Sequence, residues 1–264
     1  MNENLKADLI DSMLAGEAAR FQIHTFDVLD STNTYLKRAG AQGEMDGTVV
    51  LADRQMAGRG RMGRTFFSPD GTGLYMSILL RRPWSARHAL RLTTAAAVAV
   101  AQAIEALIGC RADIKWVNDI YLDGKKVCGI LTEGSVVPGT DRLDYAVIGI
   151  GVNICPPADG FPPELEAMAT ALFGAESLQG ARERLAADIL NRLAVLLRED
   201  QASEVYREYR CRCMALGKRI LVLQNGTQRE AKVLDLDEEF RLAVEFENGE
   251  KSLLDSGEIS IRVQ

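Results

Sequence analysis

Gly58, Gly60 and Gly63 spell GxGxxG, and the stretch directly after those glycines restricts the fold more than any other feature of the chain. In a dinucleotide fold the third glycine opens a helix whose N-terminus holds a pyrophosphate. Here residues 65–81 read as loop and then strand, so that helix is missing. A P-loop fails as well, for want of Gly-Lys-Ser/Thr after the glycines. What the loop does have is Arg59, Arg61 and Arg64 interleaved with glycine. Such a segment lets backbone amides and guanidinium groups close round an anion, and it is expected to move until that anion arrives. On this segment alone a solvated basic turn is the alternative.

The periodicity around the loop describes an α+β chain. Gln22–Leu29 alternates like a strand, and Asp30, Ser31 and Thr32 supply N-cap chemistry for a helix to about Ala39. Strands are predicted at 48–52 and 74–81, then an Ala-rich helix over 89–107 with Ser85 as its cap. Further strands are predicted at 113–117, 119–122, 125–133 and 143–154, with Asp123-Gly124 as a two-residue hairpin turn. From Gln179 to about Met214 the pattern is helical, Leu185, Ile189, Leu193 and Leu196 making one buried face. After Gly217 four short alternating segments (219–223, 228–235, 242–246, 259–263) are split by Asn225-Gly226, Asn248-Gly249 and Ser256-Gly257, the pattern of a small, strongly bent barrel. The expected division is therefore residues 1–214 and 215–264.

Composition excludes several classes of function. A net charge of -6 opposes broad nucleic-acid binding, which needs clustered positive charge. The five cysteines form no CxxC pair, so neither a disulfide framework nor a zinc site is suggested. His24 and His88, the two histidines, sit near no Ser or Cys motif, which leaves a nucleophilic triad without support. No apolar run is read as reaching the ~18 residues of a membrane span, and the polar, amphipathic start is not a signal sequence, so a cytoplasmic protein is expected.

Two more segments carry chemistry. Lys115 stands in an apolar strand that runs through Trp116 and Val117 to Asn118 and Asp119; a lysine there needs a fixed anionic partner, either a bound carboxylate or phosphate or, as a structural pair, Asp119. Gly149 and Gly151 interrupt a buried strand ending at Asn153, which allows close approach of a ligand or another backbone.

Taken together, Asp30 to Asn33, Gln55 with Gly58 to Gly63, Lys115 to Asp119, Gly149 to Asn153 and Gly257 to Arg262 resemble, in the expected order, the biotin protein ligases. The resemblance covers most of the chain. It implies an α+β catalytic domain of the class II aminoacyl-tRNA synthetase and biotin ligase type, a mixed sheet with packed helices, followed by a C-terminal SH3-like barrel. It implies biotin as substrate, ATP with Mg²⁺ as cofactors, and a biotin carboxyl carrier protein, usually that of acetyl-CoA carboxylase, as partner. By the same resemblance Ser31, Thr32, Asn33, Gln55, Arg59, Gly60, Arg61 and Lys115 contact biotin or its adenylate, with Lys115, Arg59 and Arg61 catalytic. Phe66, Asn118, Asn153 and Arg262 join Arg61 at ATP. The chain departs from the family where Val117 replaces a usual proline, loosening the turn at Asn118 and Asp119. It departs again where Phe66 replaces a common tryptophan, giving less aromatic area over the adenylate.

Trp116, Ile130 and Leu131 on one side, with Ser31, Thr32 and Gln55 on the other, suit an apolar ring system bearing a polar ureido group. Asp119 is expected either to assist the incoming lysine amine or to pair with Lys115. The C-terminal barrel docks the carrier, covers ATP through Arg262 or stabilises the main domain; the residues do not choose among these. Lipoate ligation is the nearest alternative, and a ligand-sensing DNA-binding regulator is one of another class. The stretch before Gln22 is too short for a winged helix with its own core, so nucleic acid is not expected as a partner. Exposed sheet edges allow a homodimer.

Overall fold

The computed structural model describes residues 4–86, 88–174, 179–224, 226–255 and 260–263, with backbone alone for Gln224 and for 260–263. In chain order the elements are α1 (Ala7–Asp11), β1 (Gln22–Leu29), α2 (Thr32–Ala41), β2 (Thr48–Gln55), β3 (Gly73–Leu80), α3 (His88–Ile108), β4 (Asp113–Lys115), β5 (Asp119–Leu122), β6 (Lys125–Val136) and β7 (Leu143–Asn153). They continue with α4 (Pro163–Glu166), α5 (Ala181–Leu196), α6 (Ala202–Arg212), β8 (Arg219–Gln224), β9 (Thr227–Leu236), β10 (Leu242–Phe246), β11 (Lys251–Leu254) and β12 (Ser260–Val263).

The first seven strands form one mixed sheet in the order β1-β2-β3-β7-β6-β5-β4. Only β1 and β2 run parallel; every other neighbouring pair is antiparallel. Strand alternation divides the core between the two faces. Val49, Leu51, Met76, Ile78 and Ile148 join the large core beneath α3 and α5, whereas Val50, Leu79, Val147 and Tyr145 pack with Leu36 of α2. The sheet is thus covered on both sides, and β3, wholly buried, is its spine. At the hairpin between β5 and β6, Asp123 and Gly124 both take positive φ (47° and 78°), the geometry of the tight turn read from their sequence.

The α3 helix corrects one expectation. It is long and apolar enough by length and composition to cross a membrane, yet 67% of its most apolar stretch is buried inside the fold. Its alanines let it lie close to α5, α6 and β6, so its hydropathy is that of a core helix. The predicted 179–214 helix is two helices: Arg198 takes an extended backbone conformation and a 3-10 turn, Glu199–Gln201, intervenes. The α4 turn is not among the predicted elements, although Pro163 stands where proline starts a helix well.

The last five strands form an antiparallel sheet in the order β11-β10-β9-β8-β12, which fits a small SH3-like domain. One more strand is present than the four expected, because β11 buries little beyond Leu254 and shows almost no apolar alternation. A register shift at Ala243/Val244 bends the sheet. The proposed division at Met214 falls between α6 and β8. Phe240, buried and held at φ 62°, reaches back to the first sheet: its carbonyl accepts a 2.9 Å hydrogen bond from Trp116 Nε1, and its ring meets Tyr209 and Tyr206 edge-on.

Candidate active site

One wall of the site is fixed by strand ends. The chain leaves β1 at Leu29 and turns into α2 through Ser31, whose hydroxyl caps the helix by accepting from Thr34 N. The capping places Thr32 and Asn33 against the end of β2. Gln55 Oε1 accepts from Thr32 N (2.9 Å) and Thr32 Oγ1 (3.2 Å), while its Nε2 donates to Ser68 Oγ (3.0 Å). Beneath them the Ser77 hydroxyl of β3 lies 2.6 Å from Asn33 Oδ1 and 2.7 Å from Thr32 Oγ1. Asn33 Nδ2 donates to Leu131 O (3.2 Å) and Glu133 Oε2 (3.1 Å) on β6. A Cβ at Gly149 would overlap Asn33 Oδ1. The glycine is what lets this amide lie flat on β7.

The facing element is the loop from Gly58 to Arg64. Its backbone is cross-tied by Phe66 N to Gly58 O (2.9 Å) and Gly60 N to Arg64 O (2.7 Å), and Met62 and Gly63 take positive φ in the 3-10 turn Arg61–Gly63. Two guanidinium groups tie it down. Arg59 pairs with Glu133 at 3.2 Å, and Arg61 donates to Asn118 Oδ1 at 2.9 Å. Burial pushes the Arg61 guanidinium below its usual range, opposed by the charge of Asp119. Burial also pushes the Glu133 carboxyl up, but hydrogen bonds from Lys37 and Asn33 and the charges of Lys37 and Arg59 outweigh it, so Glu133 sits below its ordinary range.

Lys115 ends β4 with its ammonium 3.4 Å from Tyr121 OH and 5.5 Å from the centre of that ring. Burial, aided by Asp119, pushes the Tyr121 hydroxyl up to about 12, which keeps it neutral. The ion pair at Asp119 is made with Lys126 at 2.7 Å, where the sequence points to Lys115: Lys115 and Asp119 are register partners on adjacent strands, but Lys126 reaches across from β6. Val117 is buried in a cis peptide after Trp116. The turn beyond it is held by Asn118, which donates from Nδ2 to Ile130 O and accepts through its carbonyl from Ile130 N, both at 2.9 Å.

These elements enclose a cavity of about 740 Å³. Ser31, Thr32, Asn33, Gln55, Arg59, Gly60, Arg61, Phe66, Lys115 and Asn118 all line it. So do Trp116, Ile130 and Leu131, the apolar side expected from sequence. Five cationic side chains converge there (Arg59, Arg61, Arg64, Lys115 and Lys126) against one carboxylate, Asp119, among the described residues. The Phe66 ring packs against Gly129 and Gly151, which face each other on β6 and β7; a Cβ on Gly151 would collide with the ring. Asn153 is not among the lining residues: its Nδ2 donates to Thr170 O at 3.0 Å, because β7 carries it past the cavity to the segment after α4. The side chain of Arg262 and residues 257–259 lie outside the described residues.

Sequence reading assigns no role in the site to Lys126, Tyr121, Met168, Leu223 or Glu133. Leu223 of β8 brings the second sheet to the cavity wall. Nothing local singles out Lys126, which stands between Lys125 and Val127; only the β5–β6 register brings it to Asp119.

Comparison with known proteins then sets the chain among relatives. A family model for the Biotin/lipoate A/B protein ligase family matches residues 25–153. The Bifunctional ligase/repressor BirA of Bacillus spizizenii is 45% identical over 146 residues, 55% of this chain and 44% of that protein, so the chain spans less than half of that relative's length. The Biotin--[acetyl-CoA-carboxylase] ligase of Mycobacterium tuberculosis is 26% identical over 95% of this chain and 93% of its own. Among solved structures, biotin protein ligase from Aquifex aeolicus in complex with biotin and ATP superposes with a TM-score of 0.75 at 28% identity, covering 92% of this chain and 99% of that one. In fold, and in sequence over residues 25–153, the chain is similar to the biotin/lipoate A/B protein ligase family.

Proposed function

We propose that the chain attaches biotin to a lysine of a biotin carboxyl carrier protein, that of acetyl-CoA carboxylase, through biotinyl-5'-AMP. In the first step a carboxylate oxygen of biotin attacks the α-phosphorus of ATP, the bond to the β-phosphate breaks and pyrophosphate leaves. In the second, the neutral amine of the carrier lysine attacks the acyl carbon, and AMP leaves with the electron pair. The observation that carries this reading is the convergence of five cations on a slot whose other walls are apolar and amide-bearing. Two anions must meet in the first step, and cations offset their repulsion and the charge that grows on the α-phosphoryl oxygens. Lys115, Arg59 and Arg61 take that role here. The uncharged donors and acceptors at Thr32, Asn33 and Gln55 suit a ureido ring, and Phe66 and Asn118 face the nucleotide.

Among the described residues no three Asp, Glu, His or Cys side chains converge as a metal site, and Asp119 is engaged by Lys126. Mg²⁺ arrives on the ATP phosphates, because this ion prefers phosphate oxygens and water to an all-protein cage. The amide-lined slot and the biotin ligases among the relatives favour biotin over lipoate. Incubation with biotin, MgATP and a candidate carrier domain should add one biotinyl group to the carrier by intact mass. A folded protein with no affinity for biotin, with or without nucleotide, overturns the reading. A homodimer through the free edge of β1 belongs to the same proposal, and light scattering at working concentration checks it.

A further inference from the structure

We propose that Glu133 is a positioning residue: through Arg59 it moors one side of the glycine-arginine loop and so governs how well the acyl adenylate is kept from solvent. The inference rests on the adenylation reading above. Glu133 Oε1 receives two cations, Lys37 Nζ at 2.6 Å and Arg59 NH2 at 3.2 Å, while Oε2 accepts from Asn33 Nδ2 at 3.1 Å. Asn33 and Lys37 stand four residues apart on α2, so one helix face presents both to the same carboxylate. The Glu133 side chain is only 16% exposed, against 44% for Arg59. The anchor is built into the fold and the tethered group is not.

Glu133 does not line the cavity. Its reach into the chemistry is through Arg59, which does. The other mooring is Arg61 on Asn118 at the β4–β5 turn. Together the two contacts hold the loop against the cavity that Arg59 and Arg61 line. Arg59 meets Glu133 through NH2 alone, so its remaining N–H groups can turn to a phosphate or carboxylate in the cavity while the mooring holds. The carboxylate thus holds the loop without trapping its arginine.

The test tracks biotinyl-AMP made from biotin and MgATP without carrier, separated into enzyme-bound and free fractions by rapid filtration. Glu133→Gln keeps the side-chain size and removes its charge. It is expected to raise the rate of free adenylate release roughly three- to tenfold, as loss of one charge-assisted contact implies, and to leave biotin affinity within about twofold. Glu133→Asp, which retains the charge, should stay nearer the parent. Arg59→Gln should leak comparably, and adding Glu133→Gln to it should change the leak no further, because the two act as one unit. Unchanged release in a folded Glu133→Gln protein, or leaks that multiply in the double variant, overturns the inference while the enzymatic reading stands. A parent that forms no biotinyl-AMP overturns both.

Discussion

The two sides of the cavity are made on different physical principles. Thr32, Asn33, Ser77 and Gln55 are locked by hydrogen bonds of 2.6–3.2 Å among buried strand and helix ends, and the glycine beneath Asn33 leaves no room for adjustment. The loop carrying Arg59, Arg61 and Arg64 has exposed residues, Met62 at 57% among them, and is held by two arginine contacts that leave guanidinium N–H groups for a ligand anion. A rigid wall suits recognition, since its polar groups are already oriented and lose little entropy on binding. A tethered loop suits a reactive intermediate, since it adjusts to an arriving charge while it helps to exclude water.

That contrast predicts where function and stability should part. The largest effect is expected from Lys115→Ala, which should lower biotin-dependent ATP–pyrophosphate exchange at least about a hundredfold with an unchanged fold by circular dichroism. Near-normal exchange in the folded variant would refute the role given to Lys115. Phe240→Ala should tell whether the fixed side extends into the second sheet. It removes a buried ring packed on Tyr206 and Tyr209 beside the Trp116 bond, and is expected to destabilise by about 3–5 kcal/mol in denaturant unfolding. A loss under about 1 kcal/mol would mean that this contact is peripheral.

Gly149→Ala sharpens the comparison from the rigid side. The added methyl meets Asn33, so about 1–3 kcal/mol of stability and most biotin affinity should be lost together. Calorimetric titration with biotin that matched the parent would show the wall to be adaptable.

The smallest effect concerns the loop. Glu133 has a folded-state pKa below its ordinary value of 4.5, so its ion pairs stabilise the folded state above that value, and the contribution is lost as pH falls through the depressed one. The parent should therefore exceed Glu133→Gln by a constant margin near neutrality, below about 1 kcal/mol because Arg59 is half exposed and screened. The margin should shrink only under acid. A margin that vanishes between pH 6 and 8 would assign it to another group.

The α+β class, the strand-to-helix junction at Ser31, the Asp123-Gly124 turn and the absence of a helix after Gly63 come from residue order alone. Each depends on contacts a few positions apart, where hydrogen-bond chemistry and backbone preference decide locally. The cluster from Ser31 to Arg61 is legible for a similar reason: glycines and arginines at close spacing declare an anion site through neighbouring residues. Tertiary structure alone decided the rest. Glu133 meets Asn33 across 100 residues and Trp116 meets Phe240 across 124, distances over which no periodicity carries information. Likewise, strand register brought Lys126 to Asp119 and carried Asn153 past the cavity. Sequence marked the candidate groups for an anion site; the packing of one sheet against its helices determined which of them face one another.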